Sequence, residues 1–248
     1  MRRTQGLLLR SAVFGIFLLL ISFSGAHAEE LLLSGSSMLL PLNRVWAQAY
    51  GKDHSDVRIL ASGPGSGAGI VSAVSGDASI GASDVFLTEK DRKKDRNILL
   101  IPVALEGTIP VVNLPLQGKM PLKMNGTVLA DLFLGKIHFW NDPALAKLNP
   151  GRTLPHLPVR VFHRSDSSGT TFVLTDYLER TSTSWHDLVG RDVLPIWPVF
   201  AGASGVLGSA AMAKAVRDHS GSIGYVGLGW VRASHLSPVA LKTGRDAL

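Results

Sequence analysis

The chain has 248 residues, 46% of them hydrophobic and 18% charged, which allows one or two packed domains and excludes a wholly disordered protein. Cysteine is absent, so disulfides, thiol ligands and a lipidated cysteine are excluded. The formal charge of +6 falls to +3 once Arg2, Arg3 and Arg10 are set aside, leaving 22 basic against 19 acidic residues, too small an excess for a nucleic-acid binder.

Those three arginines open an export leader. An apolar run over residues 12–23 follows them, shorter than a bilayer crossing needs. Ser24-Gly25-Ala26-His27-Ala28 then offers small side chains to a signal peptidase, so residues 1–28 are expected to be a signal peptide cleaved after Ala28. Without a cysteine to carry lipid, the expected destination is a Gram-negative periplasm.

From there short apolar, β-rich runs alternate with helical patterns, the mark of an α/β chain. Strands are predicted over 31–33, 57–60 and 79–81, with Leu42, Val45, Trp46, Ala49 and Tyr50 on one face of an intervening helix. The mixed-sign run 90–96 reads as a solvated face. Strands over 98–104 and 108–113 meet around Glu106-Gly107 with Pro110 and Pro115 nearby, which suggests a hinge near 104–115. A first lobe is then expected over 29–104 and a second over 105–248, with a ligand cleft between them. In the second lobe a short helix is predicted over 127–134. Another brief helix starts just before Pro143, capped by Asp142 or Asn141. A strand over 159–163 precedes a helix carrying Val173, Leu174, Tyr177 and Leu178 on one face. A helix over 206–216 and a strand over 223–226 complete the pattern.

Three junctions share one local design of strand, small-residue turn and helix start. They are Ser34-Gly35-Ser36-Ser37-Met38, Ser62-Gly63-Pro64-Gly65-Ser66-Gly67-Ala68-Gly69 and Arg164-Ser165-Asp166-Ser167-Ser168-Gly169-Thr170-Thr171. Helix starts present unpaired N–H groups and partial positive charge, glycine lets a backbone come close, and hydroxyls add donors. One such turn is ordinary capping. Three of them, two in the first lobe and one in the second, suggest an oxyanion held by neutral donors.

Two charged residues extend that pattern. Arg164 ends its strand, where a guanidinium can fork onto two anion oxygens, and Asp166 stands where it can orient that guanidinium or form a plain surface pair. Asp84, after Ser79-Ile80-Gly81-Ala82-Ser83, is either a helix cap or a proton acceptor. A carboxylate beside an anion is unfavourable unless the anion brings a proton, as phosphate does near neutral pH and sulfate does not.

At these residues the chain resembles the phosphate-binding proteins of the bacterial phosphate-specific ABC transporter. Leu129-Ala130-Asp131-Leu132-Phe133-Leu134-Gly135-Lys136-Ile137, Trp140-Asn141-Asp142, Leu148-Asn149-Pro150-Gly151 and Gly224-Tyr225-Val226 continue the likeness in order, from about Leu31 to Val226. The resemblance implies a type II periplasmic-binding fold, two α/β lobes closing on one phosphate. It also implies delivery of that phosphate to a membrane permease, with no catalysis, metal or cofactor. Carried over singly, the ligand positions are the Ser37 hydroxyl, the Met38 backbone N–H, the Ser66 hydroxyl, the Asp84 carboxylate, Arg164, and Ser168, Gly169 and Thr170 at the third helix start. Asp166 takes the place of the arginine's partner. The expected state is a monomer.

Two features depart from the family. Met38 replaces the common aromatic, and the chain ends at Leu248 soon after Gly224-Tyr225-Val226, where relatives return to the first lobe. The expectation is a C-terminal return to lobe 1 that is shortened or missing. Other readings are a binding-deficient or sensor-type relative, a receptor for another oxyanion such as sulfate, and a phosphoesterase. The last lacks a Gly-x-Ser-x-Gly elbow and a His-Glu-x-x-His pair, and His163, next to Arg164 on a strand, reads as packing.

Overall fold

The alternation of apolar runs and small-residue turns builds two sheets, one small and one large. The computed structural model describes residues 28–87, 89, 93, 98–116 and 120–242. The expected leader up to His27, all of the charged run except Lys93, and residues 243–248 lie outside the described residues.

In the first lobe β1 (Glu29–Gly35), β2 (Val57–Ser62) and β3 (Ile80–Ala82) form a parallel sheet in the order β2-β1-β3. Leu31 faces Ile59 and Leu33 faces both Ala61 and Ile80 across it. Helix α1 (Leu40–Asp53) joins β1 to β2, and α2 (Ser66–Ser75) joins β2 to β3. The two crossovers run in opposite directions along the sheet, so right-handed connections lay the helices on opposite faces. All three strands therefore release their carboxyl ends at one rim, which is where α/β sheets bind ligands.

The second lobe holds β4 (Thr108–Asn113), β5 (Leu122–Met124), β6 (Arg160–Arg164), β7 (Ala203–Val206), β8 (Ser222–Gly227) and β9 (Ser237–Leu241) in the order β5-β9-β4-β8-β6-β7. β4 runs antiparallel to β8 and β9, and the other pairings are parallel. Every residue of β8 is buried, as a central strand covered on both faces requires. Helices α3 (Gly126–Phe133), α4 (Pro143–Leu148), α5 (Gly169–Thr181), α6 (Thr183–Leu188), α7 (Gly208–Asp218) and α8 (Leu228–Ala233) cover it. Asn125 caps α3 by accepting from Val128 N–H, and of the two candidate caps for α4 it is Asp142 that accepts, from Ala144 N–H. Leu129 and Leu132 of α3 pack with Trp140, Leu145, Leu178 and Trp185 in the enclosed core. Phe133 meets Trp185 edge-on at 6.5 Å between ring centroids.

One predicted strand does not form. Residues 98–107 are irregular, with Leu99, Ile101, Val103 and Leu105 at 60–100% exposure. Their apolar alternation finds no strand partner among the described residues, and Pro102 lacks the N–H that pairing would need. β9 was not anticipated either: it inserts between β5 and β4 in the large sheet. Among the described residues no strand after β3 joins the small sheet, and no helix is long and apolar enough to cross a membrane.

Candidate functional site

The rims of the two sheets face each other, and the three small-residue turns meet there. Arg164 is the last residue of β6 and is 1% exposed. Its backbone N–H donates to Tyr225 Oη at 3.0 Å, which fixes the strand end against β8. Its Nε donates to Asp166 Oδ1 at 2.6 Å and its Nη2 to Asp166 Oδ2, while Nη1 donates to Ser209 Oγ at 3.3 Å. A guanidinium has five N–H groups. With these three engaged, one remains on each terminal nitrogen, a fork suited to two oxygens of a tetrahedral anion. The Arg164–Asp166 pair is thus largely shielded, its side chains 1% and 10% exposed, rather than lying on the surface.

Opposite stands Asp84, just beyond β3. Its Oδ2 accepts from Ser36 Oγ at 2.7 Å and Ser66 Oγ at 3.0 Å, and its backbone N–H donates to Ser66 Oγ at 3.2 Å. Burial raises its pKa above the usual carboxylate range. The two serine hydroxyls and the Arg164 charge pull the other way, and the Glu106 charge adds to the rise. Desolvation is the largest of these effects, and the net direction is upward.

The first turn is organised by Ser36, which the sequence reading passed over in favour of its neighbours. Besides donating to Asp84, its hydroxyl accepts from the N–H groups of Met38 at 3.2 Å and Leu39 at 3.3 Å, the pattern of a cap just ahead of α1. That capping geometry, a serine two and three residues ahead of the N–H groups that lead into α1, was the signal available. Ser37 Oγ lies 3.0 Å from Ser209 Oγ, and its carbonyl accepts from Trp230 Nε1 at 3.0 Å. Met38 is buried and receives Thr170 Oγ1 at its sulfur, 3.7 Å away.

The second and third turns interlock. Ser66 Oγ accepts from Gly169 N–H at 3.3 Å, and Gly67 N–H donates to Ser167 O at 3.2 Å. A Cβ on Gly169 would stand 2.5 Å from Asp84 Cβ, so this contact between lobes requires glycine. Ser168 caps α5 by accepting from Thr171 N–H at 3.2 Å, which leaves its hydroxyl proton free to be donated. Ser37, Met38, Ser66, Asp84, Arg164, Asp166, Ser168, Gly169 and Thr170 are therefore gathered in one interlobe cluster. His163 turns away from it and stacks on Trp197 at 4.7 Å, with burial lowering its pKa. Among the described residues no group of three or more His, Asp or Glu side chains is arranged to hold a metal ion.

Comparison with known proteins adds to this geometry. A family model described as a PBP superfamily domain matches residues 23–246. The chain is 38% identical over 216 residues to the phosphate-binding protein PstS of Pasteurella multocida, covering 87% of this chain and 61% of that one. It is 35% identical over 217 residues to the PstS of Haemophilus influenzae, covering 88% and 64%. The chain thus spans about three-fifths of the length of these relatives. An ABC-type phosphate transport receptor from Vibrio cholerae superposes with a TM-score of 0.56 at 22% identity, over 87% of this chain and 78% of the other.

Proposed function

This chain belongs to the PBP superfamily, and on that premise we propose that it is a phosphate receptor whose lobes close on one inorganic phosphate and hand it to the membrane permease of an ABC transporter. The architecture is the two-lobed α/β fold of type II periplasmic-binding proteins. The observation that carries the reading is the buried fork of Arg164 set against a burial-raised Asp84. Hydrogen phosphate satisfies both at once: two oxygens take the remaining guanidinium N–H groups, and its proton is donated to the carboxylate. Sulfate has no such proton and would stand against a bare negative charge.

The other donors complete the shell. Ser37, Ser66, Ser168 and Thr170 supply hydroxyls, while Met38 and Gly169 supply backbone N–H groups that exchange their present serine partners for the anion. The carboxylate of Asp166 holds the guanidinium in place and offsets part of its charge. This is binding chemistry rather than catalysis: the Ser37 and Ser66 hydroxyls contact Ser209, Asp84 and Gly169, and His163 lies away from them. In this reading the leader is removed after Ala28 and the receptor works as a monomer in the periplasm. The relatives named phosphate-binding protein support it across most of this chain.

Isothermal titration of the purified chain, stripped of anion, tests the proposal. Stoichiometric uptake of phosphate with no heat from sulfate is expected. Equal binding of the two anions, or none of phosphate, would overturn it.

A further inference from the structure

A fourth helix start reaches the site, one that the three-turn pattern does not contain. Chain leaves β7 through Leu207 and turns at Gly208, whose φ is 74°, into α7. Gly208 N–H donates to Asp166 Oδ1 at 3.0 Å. Ser209 follows, 1% exposed, and its side chain does not cap its own helix. Instead it faces two partners of different origin. Its N–H donates to Ser37 Oγ at 3.1 Å, and its hydroxyl lies 3.0 Å from that same Ser37 oxygen. Arg164 Nη1 donates to the Ser209 hydroxyl at 3.3 Å.

Ser37 belongs to the β1–α1 turn of the first lobe, whereas Arg164 and Ser209 belong to the second. We propose that Ser209 is a positioning residue that latches the closed cleft, joining Ser37 of one lobe to the guanidinium of the other. Separating the lobes breaks both contacts to Ser37 and frees the hydroxyl that steadies Nη1. The latch deepens the phosphate reading, on which its release-rate readout rests. Because these contacts exist only when the lobes meet, their loss speeds release and leaves encounter with the open cleft unchanged.

The absence of cysteine makes the test direct, since cysteines introduced at exposed Gln48 on α1 and Lys147 on α4 can carry a fluorescent donor and acceptor without competing thiols. Ser209→Ala is expected to raise the phosphate dissociation rate about tenfold with association unchanged within about twofold, as contacts made only in the bound state act on release. Ser37→Ala/Ser209→Ala should speed release by less than the product of the two single effects, because the two side chains share one contact. Without added anion, Ser209→Ala should also reduce the population at the short interlobe distance. A merely structural serine would lower the melting temperature and move none of these. Unchanged dissociation in Ser209→Ala, or independent additive effects of the two serines, overturns the latch. If the parent chain takes up no phosphate, the proposed function fails and the interlobe distance alone decides: a smaller closed population in Ser209→Ala upholds the latch, and an unchanged one overturns it.

Discussion

Trp140, Leu129, Leu132 and Leu145 of the second lobe are completely enclosed, whereas the buried apolar side chains of the first lobe, among the described residues, are Met38, Leu39 and Ala78, each still 5–8% exposed. The face of α1 that should make a core leaves Val45, Trp46 and Tyr50 at 61%, 41% and 44% exposure. Open grooves of about 330 and 510 Å³ run along the small sheet, one beside Leu32 and Leu60 and the other beside Val57 and Ile59. Yet both lobes contribute to the cluster between them. The second positions its half with a packed core. The first positions its half with hydrogen bonds, from Ser36 Oγ to Asp84 and from Gly169 N–H to Ser66 Oγ, so its order is tied to closure on the second lobe.

The difference should be plain in mutant stability. Trp140→Ala removes an enclosed indole whose Nε1 donates to Gly221 O at 2.8 Å, and should cost about 3–5 kcal/mol in urea unfolding. Leu32→Ala, at a side chain 40% exposed beside a groove, should cost less than about 1 kcal/mol. Equal losses would break the contrast between the lobes.

A second test separates folding from binding within the well-packed lobe. Arg164→Ala strands the Asp166 carboxylate, which is 10% exposed, and deletes the anion fork. Phosphate affinity should fall by about 2–5 kcal/mol, the range for truncating one partner of a buried charge pair, as read by calorimetry. Retention of parent-like affinity would remove Arg164 from the site.

Much of the fold was legible because its signals are local. Strand–turn–helix junctions around Ser37, Ser66 and Ser168 declare themselves through glycine and hydroxyl residues, and β8 through Ile223, Tyr225 and Val226. The strand expected over 98–104 failed because pairing depends on a free edge elsewhere, which an apolar alternation does not encode. β9 was missed for the converse reason: Ser237-Pro238-Val239-Ala240-Leu241 is short and carries a proline, and its place between β5 and β4 is set by tertiary pairing. At the site, Ser36 was hidden by an adjacent serine of the same chemistry, and Ser209 by lying far along the chain in a helix start of ordinary composition. Ser209 meets Ser37 across 172 positions of sequence, a distance that no local pattern spans.

The smallest effect concerns Asp84, where the loosely packed lobe carries a desolvated carboxyl. Its pKa in the folded chain is raised by burial, ahead of the opposing serine hydrogen bonds and Arg164 charge. The folded state therefore holds this proton more tightly than the unfolded state does. The resulting stabilisation is complete below the ordinary aspartate value of 3.8 and is lost as pH rises through the higher folded value. Asparagine carries no such titration. In phosphate-free buffer, the stability of Asp84→Asn relative to the parent should increase from acid toward neutral pH and then level off, as followed by urea unfolding at each pH. A relative stability that stays flat, or moves the other way, would mean that the serine hydroxyls and Arg164 outweigh burial. Asp84 would then present a fully ionised carboxylate to the anion, the form that accepts the proton of hydrogen phosphate and repels sulfate.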